Sequence, residues 1–364
     1  MLELIEKHPS PRLTSCPCPQ LTGAGGGLGR LFALGLARRG CRLACVDVAT
    51  KPNEATAAAV VRETGAEARA YTADLSKSDD IAALVKTVIA DFGHVDILVS
   101  NAGQLQGGLM WEVPDDALDL ILDVNLRATI LLVRALLPHM RERASGHIVA
   151  ISSVAGEADA PFVSMYAATK AGLTRFMGCL YHDLYRAGLH KDILVTTVKP
   201  YFMATYQQLV DCFTYNKIGK ILVPFMDPEV AAETILEAIA RGDQVVTVPT
   251  HFSLVLHIVR LLPLSLVALV VDKVLGAEVR PLISYAKRRH QELDADLLHE
   301  LLSKEYTLAA DQDPEPVCRA LLEERAAGRP THHDFAPLAD GVLDYYRKQA
   351  KPVPEAVRTV FSLS

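Results

Sequence analysis

The sequence predicts an α/β protein: a doubly wound parallel sheet forming one domain, followed by a C-terminal helical extension. Three observations predict it. Short apolar runs of strand type alternate with helical patterns from about residue 21 to residue 250, and repeated βα units of that length give a parallel sheet with helices on both faces. A glycine cluster, Gly23, Gly25, Gly26, Gly27 and Gly29, opens the first helical pattern. The polar residues Asp47, Asn101 and Ser153 each fall at the carboxyl end of an expected strand, where sheets of this kind gather their ligands.

Composition sets the outer bounds. A chain of 364 residues with 50% hydrophobic and 22% charged residues can hold one large domain plus an appendage, and disorder is not its default state. A net charge of −6 without a long Lys/Arg-rich block argues against a nucleic-acid partner. The seven cysteines form no paired framework, and Cys16 and Cys18 make a C-x-C with no matching pair at zinc spacing. No metal site is expected. A reducing compartment follows, and no signal peptide is apparent.

The first twenty residues are unusual. Pro9, Pro11, Pro17 and Pro19 occupy the stretch where a central strand is required. Proline cannot donate to a ladder, so a short, distorted or partly missing first strand is expected. Residues Thr22 to Gly29 read T-G-x-x-x-G-x-G, with Thr22, Gly23, Gly27, Leu28 and Gly29 as the residues of interest. The helical pattern then runs to Arg39, and Gly40 suits its C-cap. A glycine turn opening a helix presents backbone N–H groups beside a positive dipole end, which suits a pyrophosphate. Cys41 to Asp47 is a short apolar strand ending in an acid about twenty residues past the glycines. There an acid accepts from ribose hydroxyls and repels a 2′-phosphate, so Asp47 favours NAD over NADP.

The alternation continues. Residues 53–64 are expected as a helix, Ala66 to Tyr71 as a strand leading to Asp74 and Leu75, and 78–92 as an amphipathic helix. Val95 to Ser100 is a buried-type strand running into Asn101, Ala102 and Gly103. A long helix over 115–143 carries Asn125. His147 to Ile151 leads a strand to Ser153, and a helix over 163–188 carries Tyr166 and Lys170. Ile193 to Pro200 is a strand, 228–241 a helix and Gln244 to Val248 the last strand.

Ser153, Tyr166 and Lys170 can together move a proton. The four-residue spacing of Tyr166 and Lys170 puts both on one helix face. A phenol normally ionises near pH ~10, and an ammonium held beside it is expected to lower that value. Ser153 could hydrogen-bond the oxygen that Tyr166 protonates. Taken alone, Tyr-x-x-x-Lys is far more often an exposed helix face with a surface lysine; the strand-end residues upstream give it weight.

Together these motifs resemble the short-chain dehydrogenase/reductases over Leu21 to about Gly276. The T-G-x-x-x-G-x-G loop, Asp74, Asn101 to Gly103, Asn125, Ser153, Tyr166, Lys170 and Pro200 carry the resemblance. TGAGGGLGR, the DVN ending at Asn125 and GHIVAISSVAG resemble the branch of microsomal retinol dehydrogenases and lipid-droplet 17-beta-hydroxysteroid dehydrogenases. The resemblance implies a Rossmann-like fold and NAD as cofactor. It implies Tyr166 as general base in alcohol oxidation, Lys170 on the phenolate and the nicotinamide ribose, and Ser153 on the substrate oxygen. Asn125 would hold a water linking Lys170 to solvent, Asp74 and Leu75 would lie near the adenine, and Thr205 would touch the carboxamide. Asn101 is expected to stabilise the sheet edge. A homodimer through the helices at 115–143 and 163–188 is implied.

Beyond Pro200, Tyr201, Phe202, Met203, Tyr206 and Phe213 make an aromatic loop suited to a retinoid, a steroid or a long-chain alcohol. Phe252 to Val271 is about as long as a bilayer core, but His257, Arg260 and Pro263 interrupt it. A helix pair at a membrane interface or over the substrate mouth is expected. The cytoplasmic face of an endoplasmic-reticulum or lipid-droplet membrane is the expected location, with the cytoplasm as the alternative. The divisions expected are 1–20, a domain over 21–250, an apolar segment over 251–276 and a helical extension over 277–364. The rival to an enzyme is a membrane-associated lipid-binding or scaffold protein with an impaired cofactor site. An NADPH-dependent carbonyl reductase is disfavoured by Asp47.

Overall fold

The computed structural model describes residues 17–105, 108–159, 161–201, 203, 213–214, 225–259, 261–269, 273 and 278–279. The chain divides into two compact units, Met1–Ile283 and Ser284–Ser364, and every described residue lies in the first.

The core is a seven-stranded parallel sheet. Its strands are β1 (Pro19–Thr22), β2 (Leu43–Asp47), β3 (Ala68–Thr72), β4 (Ile97–Ser100), β5 (Gly146–Ile151), β6 (Ile193–Pro200) and β8 (Val245–Val248). The separate two-residue strands β7 (Phe213–Thr214) and β9 (Glu278–Val279) pair antiparallel. The main sheet runs β3-β2-β1-β4-β5-β6-β8. Helices α1 (Gly27–Arg38), α2 (Thr50–Thr64) and α7 (Pro228–Arg241) cover one face, where Phe32, Leu36, Val60, Ile235 and Leu236 are buried together. Helices α3 (Ser78–Phe92), α5 (Ala128–Glu142) and α6 (Ser164–Arg186) cover the other with Val88, Leu132, Leu136, Leu173 and Met177. The strand order reverses between β1 and β4, which makes the crevice above them the expected ligand site.

The first strand is present and short, four residues, so of the expected alternatives only a partly missing strand is corrected. Pro19 opens β1, and the strand pairs with β2 on one side and β4 on the other. Proline is tolerated at a strand start. The approach is also anchored: the Pro17 carbonyl accepts the Arg42 N–H (2.9 Å), and the Cys18 N–H donates to the Asp96 carboxylate (2.8 Å).

Other elements shift by a few residues. The third strand starts at Ala68 rather than Ala66, and α2 starts at Thr50 rather than at 53. The long helix expected over 115–143 is three pieces: α4 (Asp115–Leu122), a π turn over Asp123–Arg127, and α5. Gly40, with φ +84, follows α1 in the left-handed region and donates its N–H to the Ala37 carbonyl (2.9 Å). The apolar stretch after β8 forms α8 (Phe252–Val259) and α9 (Leu264–Leu269), separated around Pro263. Among the described residues, no helix is long and apolar enough to cross a membrane.

Candidate active site

Thr22, Gly23 and Gly29 show why the glycine turn has its sequence. Gly23 adopts φ +69, and a Cβ on it would lie 2.9 Å from the Ala102 Cα. A Cβ on Gly29 would lie 1.8 Å from the Gly23 carbonyl oxygen, so α1 can start this close to the turn only without a side chain there. The Thr22 hydroxyl accepts the N–H groups of Asn101 and Ala102, each at 3.0 Å. Asn101 Nδ2 returns to the Thr22 and Gly23 carbonyls. Asn101 therefore stitches the ends of β1 and β4 together. The Leu28 side chain, in the first turn of α1, is buried in the core.

Asp47 ends β2 and accepts the N–H of Gly25 and of Ala49, both at 2.9 Å. A Cβ on Gly25 would lie 3.0 Å from the Asp47 carboxylate. Asp74 is turned on its own loop, accepting from the Ser76 hydroxyl (2.7 Å) and N–H (3.0 Å) and pairing with Lys77. Burial pulls its carboxyl upward, but the hydrogen bonds outweigh that and leave it below the usual range. Leu75 packs into the core below.

Ser153, Tyr166, Lys170, Asn125 and Gly103 converge past the ends of β4 and β5. Ser153 caps the single 3-10 turn Val154–Gly156, its hydroxyl oxygen accepting from the Ala155 N–H (3.1 Å). That leaves its hydrogen for the Tyr166 phenol, whose ionised form Ser153 favours. The Lys170 ammonium lies 5.7 Å from the Tyr166 ring centroid and donates to the Ile151 carbonyl (2.8 Å). A Cβ on Gly103 would sit 3.4 Å from both Asn125 Oδ1 and Lys170 Nζ, so a side chain there would crowd both.

Ionisation here differs from the expectation. Burial pushes the Tyr166 phenol above its usual value, and the Ser153 hydrogen bond opposes that only in part. Burial also brings Lys170 down to about 8. In the free chain, desolvation outweighs the attraction expected to lower the phenol. The Asn125 amide donates to the Gln104 carbonyl (2.8 Å) and to the Thr169 hydroxyl (3.3 Å), and accepts the Gln104 N–H (2.7 Å). One hydrogen and the amide oxygen thus hold the loop after β4, and the other hydrogen ties the π turn to α6. It sits in the π turn, an irregularity that recurs at functional sites. Pro200 ends β6, and Thr205 lies outside the described residues.

Sequence reasoning missed three residues that shape this site. Ser152 donates its hydroxyl to the Lys170 carbonyl (2.8 Å), while Glu157 and Lys199 form an ion pair shielded from solvent. A lysine inside a strand-type apolar run was the available signal, because a charge there demands a partner.

The glycine turn, with no acid in the first turn of α1, fits a pyrophosphate. A parallel sheet with this switch point and a glycine turn at the end of β1 is of the Rossmann-like, dinucleotide-binding kind. Residues 20–209 match the short chain dehydrogenase family, and the chain belongs to that family. It is 33% identical over 253 residues to epidermal retinol dehydrogenase 2 of Mus musculus, covering 69% of this chain and 80% of that protein. Among solved structures, a short-chain dehydrogenase/reductase of Burkholderia phymatum in complex with NAD has TM-score 0.58 and 27% identity. That match covers 68% of this chain and 92% of the other. A short-chain dehydrogenase of Sphingobium yanoikuyae in complex with NADPH has TM-score 0.56 and 28% identity, covering 65% and 88%.

Proposed function

We propose that this enzyme is an NAD-dependent dehydrogenase of a lipophilic alcohol, a retinoid, steroid or long-chain alcohol, working at the cytoplasmic face of an endoplasmic-reticulum or lipid-droplet membrane. The observation that carries the reading is the convergence of Ser153, Tyr166 and Lys170 past the ends of β4 and β5.

When bound, the nicotinamide accepts or gives the hydride. Tyr166 takes the alcohol proton in oxidation and returns it in reduction. Ser153 orients the substrate oxygen with the hydroxyl hydrogen that Ala155 leaves free. Lys170, held by the Ile151 carbonyl, places positive charge beside the phenol and faces the ribose. The Asn125 side chain holds the loop of Gly103 and Gln104 against Lys170. Thr22, Gly23, Gly27, the Leu28 backbone and Gly29 hold the pyrophosphate; Asp47 holds the adenosine ribose. Asp74, Leu75, Asn101, Ala102, Pro200 and Thr205 complete the cofactor contacts.

Asp47 supports NAD over NADP, because a 2′-phosphate would meet its carboxylate. The lipophilic substrate is supported by the likeness to a retinol dehydrogenase and by the apolar wall past β6. There Tyr201 is buried, its ring 4.4 Å from that of Phe252. Exposed Leu254, Ile258, Leu261 and Leu264 support the membrane surface, and a homodimer through α4–α5 and α6 completes the reading.

Calorimetry with NAD(H) and NADP(H), on wild type and Asp47→Ala, tests the cofactor. Tight NAD binding that weakens in the variant is expected. Turnover of retinol, steroids and fatty alcohols should then fall ~10²–10⁴-fold in Tyr166→Phe, the usual worth of a general acid–base group. A folded protein that binds neither nucleotide would sink the reading.

A further inference from the structure

Ser153 sits in a turn whose two ends are tied to consecutive residues of β6. At its start the Ser152 N–H donates to the Val198 carbonyl (2.7 Å). At its end the Glu157 carboxylate is ion-paired with the Lys199 ammonium. Between these ties the turn is closed on itself: the Gly156 N–H donates to the Ser153 carbonyl (3.1 Å), and the Glu157 N–H to the Val154 carbonyl (2.9 Å). Its other flank presses on α6, where a Cβ on Gly156 would lie 2.7 Å from the Lys170 carbonyl carbon.

The Glu157 and Lys199 side chains are only 9% and 11% exposed. As a stability device this is a poor choice. Desolvating two charges offsets most of their attraction, and an apolar pair of equal volume commonly does as well or better. A charge-assisted hydrogen bond supplies something an apolar pair does not, a directed link of fixed length.

We propose that the Glu157–Lys199 ion pair is a positioning clamp that holds the Ser153 turn, and so the Ser153 hydroxyl, in register with Tyr166. Both are positioning residues, acting through Ser153. The inference rests on reading Ser153, Tyr166 and Lys170 as the proton-transfer site.

The elements around Tyr166 carry other charges. Lys170 shares its helix, Glu157 and Lys199 lie on the turn and on β6, and α4 and the π turn bring Asp115, Asp116, Asp119, Asp123 and Arg127. Burial raises the phenol and Ser153 lowers it, while the Glu157 carboxylate is ion-paired with Lys199 on β6. Neutralising Glu157 therefore reaches the phenol through the placement of Ser153 rather than through its own field. Loosening the Ser153 contact weakens an influence that lowers the phenol, so its titration midpoint should rise.

The test is a titration of ring-labelled tyrosine by NMR, without substrate or cofactor, with the Tyr166 signal assigned by Tyr166→Phe. Glu157→Gln and Lys199→Met, shown to be folded by circular dichroism, should each raise the midpoint. The exchanged pair Glu157→Lys with Lys199→Glu should bring it back. On an alcohol substrate the single variants should lose kcat by about tenfold to a hundredfold, the scale of a misplaced catalytic group, with the KM for NAD nearly unchanged. Folded single variants with the wild-type midpoint overturn the clamp. If the single variants do not fold, Glu157→Leu with Lys199→Met carries the test: a raised midpoint supports the clamp, and a wild-type midpoint reduces the pair to packing. Because the titration needs no turnover, a chain that oxidises no alcohol would fail the proposed function while its phenol midpoints still decide for or against the clamp.

Discussion

His147 lies at the start of β5, fully enclosed, with Nε2 2.8 Å from the Thr196 hydroxyl. Burial brings its imidazole down to about 4. In the unfolded chain the same group titrates near pH ~6.5. Between those values the unfolded chain holds more protons than the folded one, so stability falls as the pH falls. Denaturation midpoints of wild type should therefore drop from about pH 6.5 toward about pH 4, beyond the share due to carboxylates. His147→Gln keeps a neutral partner for Thr196, and its midpoints should fall less over that window; equal slopes would refute the assignment. At this scale the sequence was partly legible. Four-residue spacing placed Tyr166 and Lys170 together, because helix geometry fixes it. The Ile151 carbonyl that holds Lys170 and the Gln104 backbone that holds Asn125 were not legible, since neither contact follows from a periodicity.

Among the elements, β1 is the anomaly. Side chains alternate along it, so Leu21 enters the core beside α1 while Gln20 points to the face covered by α3 and α5. Gln20 pairs in register with Ala44 and Leu98 and is fully buried. Among the described residues, neither atom of its amide has a hydrogen-bond partner. An unsatisfied buried polar group costs about 1–3 kcal/mol, so Gln20→Val should stabilise by a similar amount in urea denaturation. A neutral or destabilising result would mean that the amide has found a partner. The prolines hid this strand because pattern reading weighs residues one by one. Pairing on both sides, which comes from β2 and β4, overrode that local preference. The amphipathic helices were legible, because their apolar faces recur at helical spacing. The break of the long helix at the π turn was not, since an extra residue in a turn leaves the apolar pattern nearly unchanged.

Taken whole, the molecule follows from the order of its strands and helices, and the position of the crevice follows from that order. The two faces of α8 belong to this scale. Leu256 packs with Val154 and Tyr201 beside the Ser153 turn. On the outside, Leu254 and Ile258 are exposed, and so are Leu261 at 85% and Leu264 at 68%. Fully burying one leucine contributes about 1.5–3 kcal/mol. Leu261→Glu with Leu264→Glu should therefore lower partition onto phospholipid vesicles by well over tenfold in a flotation assay. Wild-type protein that stays off vesicles, or a double variant that binds them equally, would remove the interfacial role from this segment.

The Ser153 turn is fastened at Val198 and Lys199, and both come before Pro200. Along the chain, then, what steadies the proton-handling groups is written first, and what is expected to meet the substrate is written afterwards. The passage after Tyr201 can behave as an exchangeable cassette: evolution or a protein engineer could rewrite it to admit a different alcohol while the inherited acid–base machinery stays in place.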